Sequence, residues 1–127
     1  MDHSYDFYIA LSYLQLNEFA KAEQIFANDI KEQTERRGEA HYLDLFYYGI
    51  TLYEQQKWQE AIMQFDKALD FYNQFSDAKY YKYLCLINLG AYKQSESVLM
   101  EAQQDAKNGF TINEDNVVYE TYPYQIK

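Results

Sequence analysis

The chain has 127 residues, the size of one domain with its own core. A net charge of −9 repels phosphate backbones and anionic lipid, which excludes nucleic acid and acidic membrane surfaces as targets. Aromatic residues make up 19% of the chain against a single proline and four glycines, so the sequence reads as long helices with few breaks and not as a disordered chain. Apolar periodicity predicts helices over about residues 4–16, 19–36, 40–55, 58–74, 77–89 and 92–107. The first and third of these carry Ile9-Ala10-Tyr13-Leu14 and Tyr48-Gly49-Leu52-Tyr53, one apolar stripe written twice at helical spacing. Glu32, Glu35, Arg36 and Arg37, followed by Gly38, read as a helix that runs a turn too long and is closed by a glycine cap.

Three segments share one pattern: Asn17 to Phe26, Gln56 to Phe65 and Gly90 to Leu99. Each opens on a turn residue and has an aromatic (Phe19, Trp58, Tyr92) two places on. A small residue (Ala22, Ala61, Ser95) comes three further, and a large apolar residue (Phe26, Phe65, Leu99) four after that. Residues four apart share a helix face, and the small one lets a neighbouring helix come close. The copies recur 39 residues apart from Ala22 to Ala61 and 34 from Ala61 to Ser95. A period near 34 with this content marks a helical hairpin repeat, and one such hairpin cannot bury its apolar face alone.

The pattern resembles the tetratricopeptide repeat, over most of the chain. The resemblance implies an all-α fold: a right-handed α-solenoid of three helix-turn-helix hairpins over about 3–36, 42–75 and 76–107, with a non-helical C-terminal extension over 108–127. It also implies a protein-binding scaffold. The third copy departs from the family, which has an aromatic, a leucine and a small residue where this chain has Lys79, Lys82 and Tyr83. Regular packing is therefore expected less of the third hairpin than of the first two.

Nothing in the sequence points to catalysis, and an enzyme is not expected. No serine stands in a glycine elbow, no glycine cluster could cradle a phosphate, and no cofactor or metal is implied. His3 and His41 are far apart with no ligand-spaced partner, and read as surface or helix-start residues. Cys85 is the sole cysteine and lies between Leu84 and Leu86, so it reads as a buried, inert thiol. The carboxylates read as solvated helix faces. No run approaches the roughly 20 apolar residues of a membrane span, and direct membrane insertion is not expected. The compartment is open: a complete chain would be cytoplasmic, and a piece of a longer one could have lost a leader.

By the same resemblance, one face of the first helix of each hairpin would line a concave groove for an extended peptide. Carried over by position, this groove comprises Phe7, Tyr8 and Leu11, then Phe46, Tyr47, Ile50 and Tyr53, then Tyr80, Tyr81 and Leu84. Family members that bind chaperone C-termini hold basic and amide side chains at Phe7, Leu11, Tyr47, Asp77 and Tyr81, so that carboxylate clamp is missing. An aromatic groove remains, suited to a partner with an apolar or aromatic segment. Phe46, Tyr47 and Tyr48 together cover more than half the helix circumference, too wide a stripe for one seam, so part of it is expected to form the binding surface.

Helical pattern ends at Asn108-Gly109. The tail after it keeps Phe110, Ile112, Val117, Val118, Tyr119, Tyr122, Tyr124 and Ile126, and is expected to pack on the repeats as a cap or to occupy the chain's own groove. The sequence thus reads as an interaction scaffold or adaptor. Two other readings stand beside it: a small secretion-type chaperone for one client, and the C-terminal capping piece of a longer array with a role in assembly.

Overall fold

The structure is a computed structural model that describes residues 4–111 and 124–126. Six helices and no strand lie among the described residues: α1 (Tyr5–Gln15), α2 (Phe19–Arg37), α3 (Tyr42–Glu54), α4 (Trp58–Phe71), α5 (Ser76–Asn88) and α6 (Tyr92–Lys107). None is long and apolar enough to cross a membrane. They pack in sequential pairs, α1 on α2, α3 on α4 and α5 on α6. The pairs join through α2 with α3 and α4 with α5, and through lighter contacts of α3 with α1 and α5.

The turn inside each pair is the same object three times. Asn17, Gln56 and Gly90 hold left-handed backbone at φ 62°, 63° and 79°. The next N–H in each case, of Glu18, Lys57 and Ala91, reaches back to the carbonyl of Tyr13, Leu52 and Leu86 at 2.8, 3.0 and 2.9 Å. This six-to-one bond, with the five-to-two bond inside it, satisfies carbonyls that the helix end would leave orphaned. The carbonyls of Glu18, Lys57 and Ala91 then accept the N–H of Ala22, Ala61 and Ser95, which starts the second helix. Register is thereby fixed in all three pairs, and the three small residues fall at equivalent places, buried.

α2 has 19 residues and α4 has 14, so the extra five of the first period lengthen the C-terminal end of α2. Gly38, at φ 84°, closes it by donating to the Thr34 carbonyl. α4 stops at Phe71, three residues short of the expected 74. Tyr72 leaves helical geometry there and its ring stacks on Phe75 at 5.1 Å, 10° from parallel. Phe75 itself is fully buried against Phe46, at 4.9 Å between rings.

The third pair packs as extensively as the second, contrary to the expectation from Lys79, Lys82 and Tyr83. The two lysines are used as ties. Lys82 Nζ reaches Asp66 of α4 at 2.7 Å, while Lys79 Nζ pairs with Asp105 of α6 where both side chains are about nine-tenths shielded. Tyr83 remains half-buried, and the smaller Leu99 stands where the other pairs have Phe26 and Phe65.

Candidate functional site

α3 is the central helix, with α1, α2, α4 and α5 all against it, and this decides the fate of its aromatic stripe. Phe46 faces Phe65 of its own pair at 5.9 Å, and Tyr47 faces Phe7 of α1 at 6.0 Å. Both are fully buried, and Tyr48 is half-buried. A helix with four neighbours buries two of the three consecutive rings and part of the third, so the width of the stripe reflects a surrounded helix. Of the residues assigned to a groove, Phe7, Leu11, Phe46, Tyr47, Ile50 and Tyr81 are buried, Tyr81 with the chain's own Tyr124 ring against it. Tyr8, Tyr53, Tyr80 and Leu84 are half-buried at the edge of the same core.

On the α3–α5 face the chain meets its own C-terminal end. The Tyr124 ring lies edge-on to Tyr81 at 5.8 Å, and Tyr81 in turn lies edge-on to Tyr53 at 5.4 Å. The Tyr124 hydroxyl donates to Glu54 Oε2 at 2.7 Å, and the Ile126 N–H donates to Asp77 Oδ1 at 2.6 Å. From Tyr124 to Ile126 is two residues; from Tyr81 back to Asp77 is four, one helical turn. Tyr124 meets Tyr81 and Ile126 meets Asp77, so the end of the chain runs antiparallel to α5 over one helical turn. Burial raises the Tyr124 and Tyr81 hydroxyls far above the ordinary tyrosine value of 10.0, with Glu54 adding to the rise in both.

The start of the tail is also held. The Phe110 carbonyl accepts the N–H of Ser76, a first-turn donor of α5 whose cap residue Phe75 offers no side-chain acceptor. The Phe110 N–H donates to the Asp105 carbonyl at 2.9 Å. The expectations for Ile112, Val117, Val118, Tyr119 and Tyr122 lie outside the described residues, as does His3.

Compared with family models, with curated proteins and with solved structures, the chain matches none. Function is therefore argued from the site.

Asp29 and Asp44 depart from the solvated role expected of carboxylates and are buried, as is Asp77 beneath the tail. Gln33 Nε2 donates to Asp29 Oδ2 at 3.0 Å and to Asp44 Oδ2 at 2.9 Å, its Oε1 accepts the His41 N–H at 3.1 Å, and Ser4 Oγ donates to Asp29 at 2.9 Å. Ser4 Oγ also caps α1 by accepting from the Phe7 N–H. Gln33 sits in the added stretch of α2, so the longer helix is what bridges the first pair to α3. Asp6 and Glu32 lie close enough to Asp29 for one cation to touch all three. The Asp29 oxygen is already taken by the serine and the glutamine. Sequence reasoning missed this network, because the only signal for it was the five-residue excess in the first period.

His41 is the helix-start residue it was read as: its Nδ1 accepts the Leu43 N–H at 3.1 Å. It borders a cavity of about 190 Å³ with Arg37, Glu39, Ala40, Tyr42 and Phe71. Cys85 is fully buried, and burial pushes its thiol up to about 12, which leaves it protonated and unreactive at neutral pH.

Proposed function

We propose that the chain is a protein-interaction scaffold: three tetratricopeptide-like hairpins stacked as a right-handed solenoid, with the face of α3 and α5 binding an extended segment of a partner protein. The observation that carries this reading is the seat of Tyr124 to Ile126, non-helical chain held along α5 by a ring contact and two hydrogen bonds. A surface that holds one extended segment in step with a helix has the geometry to hold another. The threefold turn supports the repeat, since the same Schellman geometry recurs at the same register in each pair. The groove so proposed is narrower than the ten residues of the sequence reading. It centres on Tyr53, Glu54, Asp77 and Tyr81, with Tyr80 and Leu84 beside it.

Panning a random displayed-peptide library on the full chain carrying Tyr124→Ala tests this. Selected peptides are expected to perturb the amide resonances of α3 and α5 on binding and to compete with one another. Failure to select any peptide, or peptides that map to α2, α4 or α6, would refute the proposal.

A further inference from the structure

Resting on that reading of the α3–α5 face, we infer that the site selects an unphosphorylated tyrosine followed two places later by a residue with a free backbone N–H, in a neutral or basic extended segment, and that the chain's own Tyr124-Gln125-Ile126 is the resident occupant an outside segment displaces.

The selectivity follows from the direction of the two hydrogen bonds. In both the tail donates and a carboxylate of the body accepts, Glu54 from the Tyr124 hydroxyl at 2.7 Å and Asp77 from the Ile126 N–H at 2.6 Å. A carboxylate oxygen is the acceptor in each bond, so a ligand that repeats them must bring donors to both places. Phenylalanine keeps the ring contact with Tyr81 and loses one donor. Proline at the third position loses the other. Phosphotyrosine is the worst fit, since it puts a charge of about −1.5 to −2 where Glu54 requires a proton donor.

No cation of α5 is on offer to offset that charge. Lys79 is engaged by Asp105 and Glu101, and Lys82 by Asp66. The net charge of −9 sets the long-range field the same way, against acidic segments. The ring seat supplies the rest of the recognition: Tyr53, Tyr81 and Tyr124 form an edge-to-face series, an arrangement that favours an aromatic over an aliphatic side chain. Buried Asp77 adds a reason for the seat to be filled, because a carboxyl group shielded from water needs hydrogen-bond partners and the tail N–H is one of them.

The test is fluorescence anisotropy with a labelled synthetic peptide of residues 118–127, titrated with the full chain. Wild-type protein is expected to bind it about tenfold more weakly than full-chain Tyr124→Ala, whose own tail has lost its ring and its hydroxyl, with Tyr124→Phe falling between. On the Tyr124→Ala chain, the peptide with phenylalanine for its third tyrosine, the counterpart of Tyr124, should bind about tenfold more weakly, and the peptides with phosphotyrosine there or with proline for isoleucine at least about a hundredfold more weakly. Glu54→Gln in that background should shrink the gap between the tyrosine and phosphotyrosine peptides. Equal binding of those two peptides, or equal binding by wild-type and Tyr124→Ala chains, would overturn the inference while library-selected peptides still bound α3 and α5. If no peptide of either origin bound that face, the reading of the site would fall with it.

Discussion

Gly49→Ala sets two effects of known size against each other. Gly49 lies mid-helix in α3, where alanine should stabilise by about 1 kcal/mol through helix propensity alone. A Cβ at Gly49, however, would stand 2.6 Å from Phe65 Cε1, 2.8 Å from Cδ1 and 3.1 Å from Cζ. Carbon atoms pack best at about 3.5–4.0 Å, so the ring would have to retreat by nearly an ångström. Phe65 is fully buried, with the Phe46 ring beside it, so its retreat would disturb a packed core. Overpacking of this kind costs about 1–3 kcal/mol, which leaves a net loss of about 1 kcal/mol and a fall in Tm of about 4 °C for a chain of this size. Urea unfolding followed by circular dichroism gives the figure. Gly49→Ala combined with Phe65→Leu should be less destabilised than the sum of the two single variants by about 1 kcal/mol, because the smaller side chain clears the contact. A stabilised Gly49→Ala, or strict additivity in the cycle, would show that α3 and α4 are not pressed together there.

Ala61 is buried at the equivalent of Ala22 and Ser95, and Ala61→Leu is expected to destabilise by about 1–3 kcal/mol, read as a shift in urea midpoint at constant m-value. Gln56 pays the left-handed penalty that Gly90 escapes at the same turn position, so Gln56→Gly should stabilise by about 0.5–1 kcal/mol in the same assay, whereas Gly90→Gln should do the reverse. Lys79→Ala strips a shielded Asp105 of its cation and is expected to cost about 1.5–3 kcal/mol, largely recovered when Asp105→Ala is added. Alkaline titration gives the last expectation. Cys85 rises from 9.0 to about 12 on folding, so the folded state holds its proton where the unfolded state has lost it; its contribution to stability is constant below pH 9 and falls between pH 9 and about 12 by roughly 1 kcal/mol per pH unit. The raised Tyr81 and Tyr124 hydroxyls steepen that fall above pH 10, and Cys85→Ala should remove only the part that begins near pH 9.

What could be read from the residues was whatever local spacing determines. The repeat register, the six helices and the endings at Gly38 and Asn108-Gly109 all followed from turn residues and apolar period, because a Schellman turn and a helix stripe are set within ten residues. The inert Cys85 and the helix-start His41 were equally local. What depends on neighbours distant in sequence was not legible. The aromatic run at Phe46 to Tyr48 looked like surplus surface until four helices were found around it. Asp29 and Asp44 looked solvated because Gln33, the residue that reconciles them, has no sequence signature. Lys79 and Lys82 looked like defects in the third copy, and only the positions of Asp105 and Asp66 make them ties. The tail's need for a seat was legible, while its register on α5 required Glu54 and Asp77 to be seen at one place.

The two anchors of the tail sit on consecutive residues: Phe110 binds the backbone of Ser76, and Ile126 binds the side chain of Asp77. The first turn of α5 is thus the knot of a closed ring of chain about 15 residues round. Closing such a ring costs roughly 2 kcal/mol of chain entropy, and that cost is returned whenever the Asp77 end lets go. Release therefore runs downhill in chain entropy and uphill in contacts. The Phe110 end, tied by two main-chain bonds, keeps Tyr124 to Ile126 tethered to the same turn of α5, so that each departure remains reversible and the knot can be retied without the third helix pair coming apart.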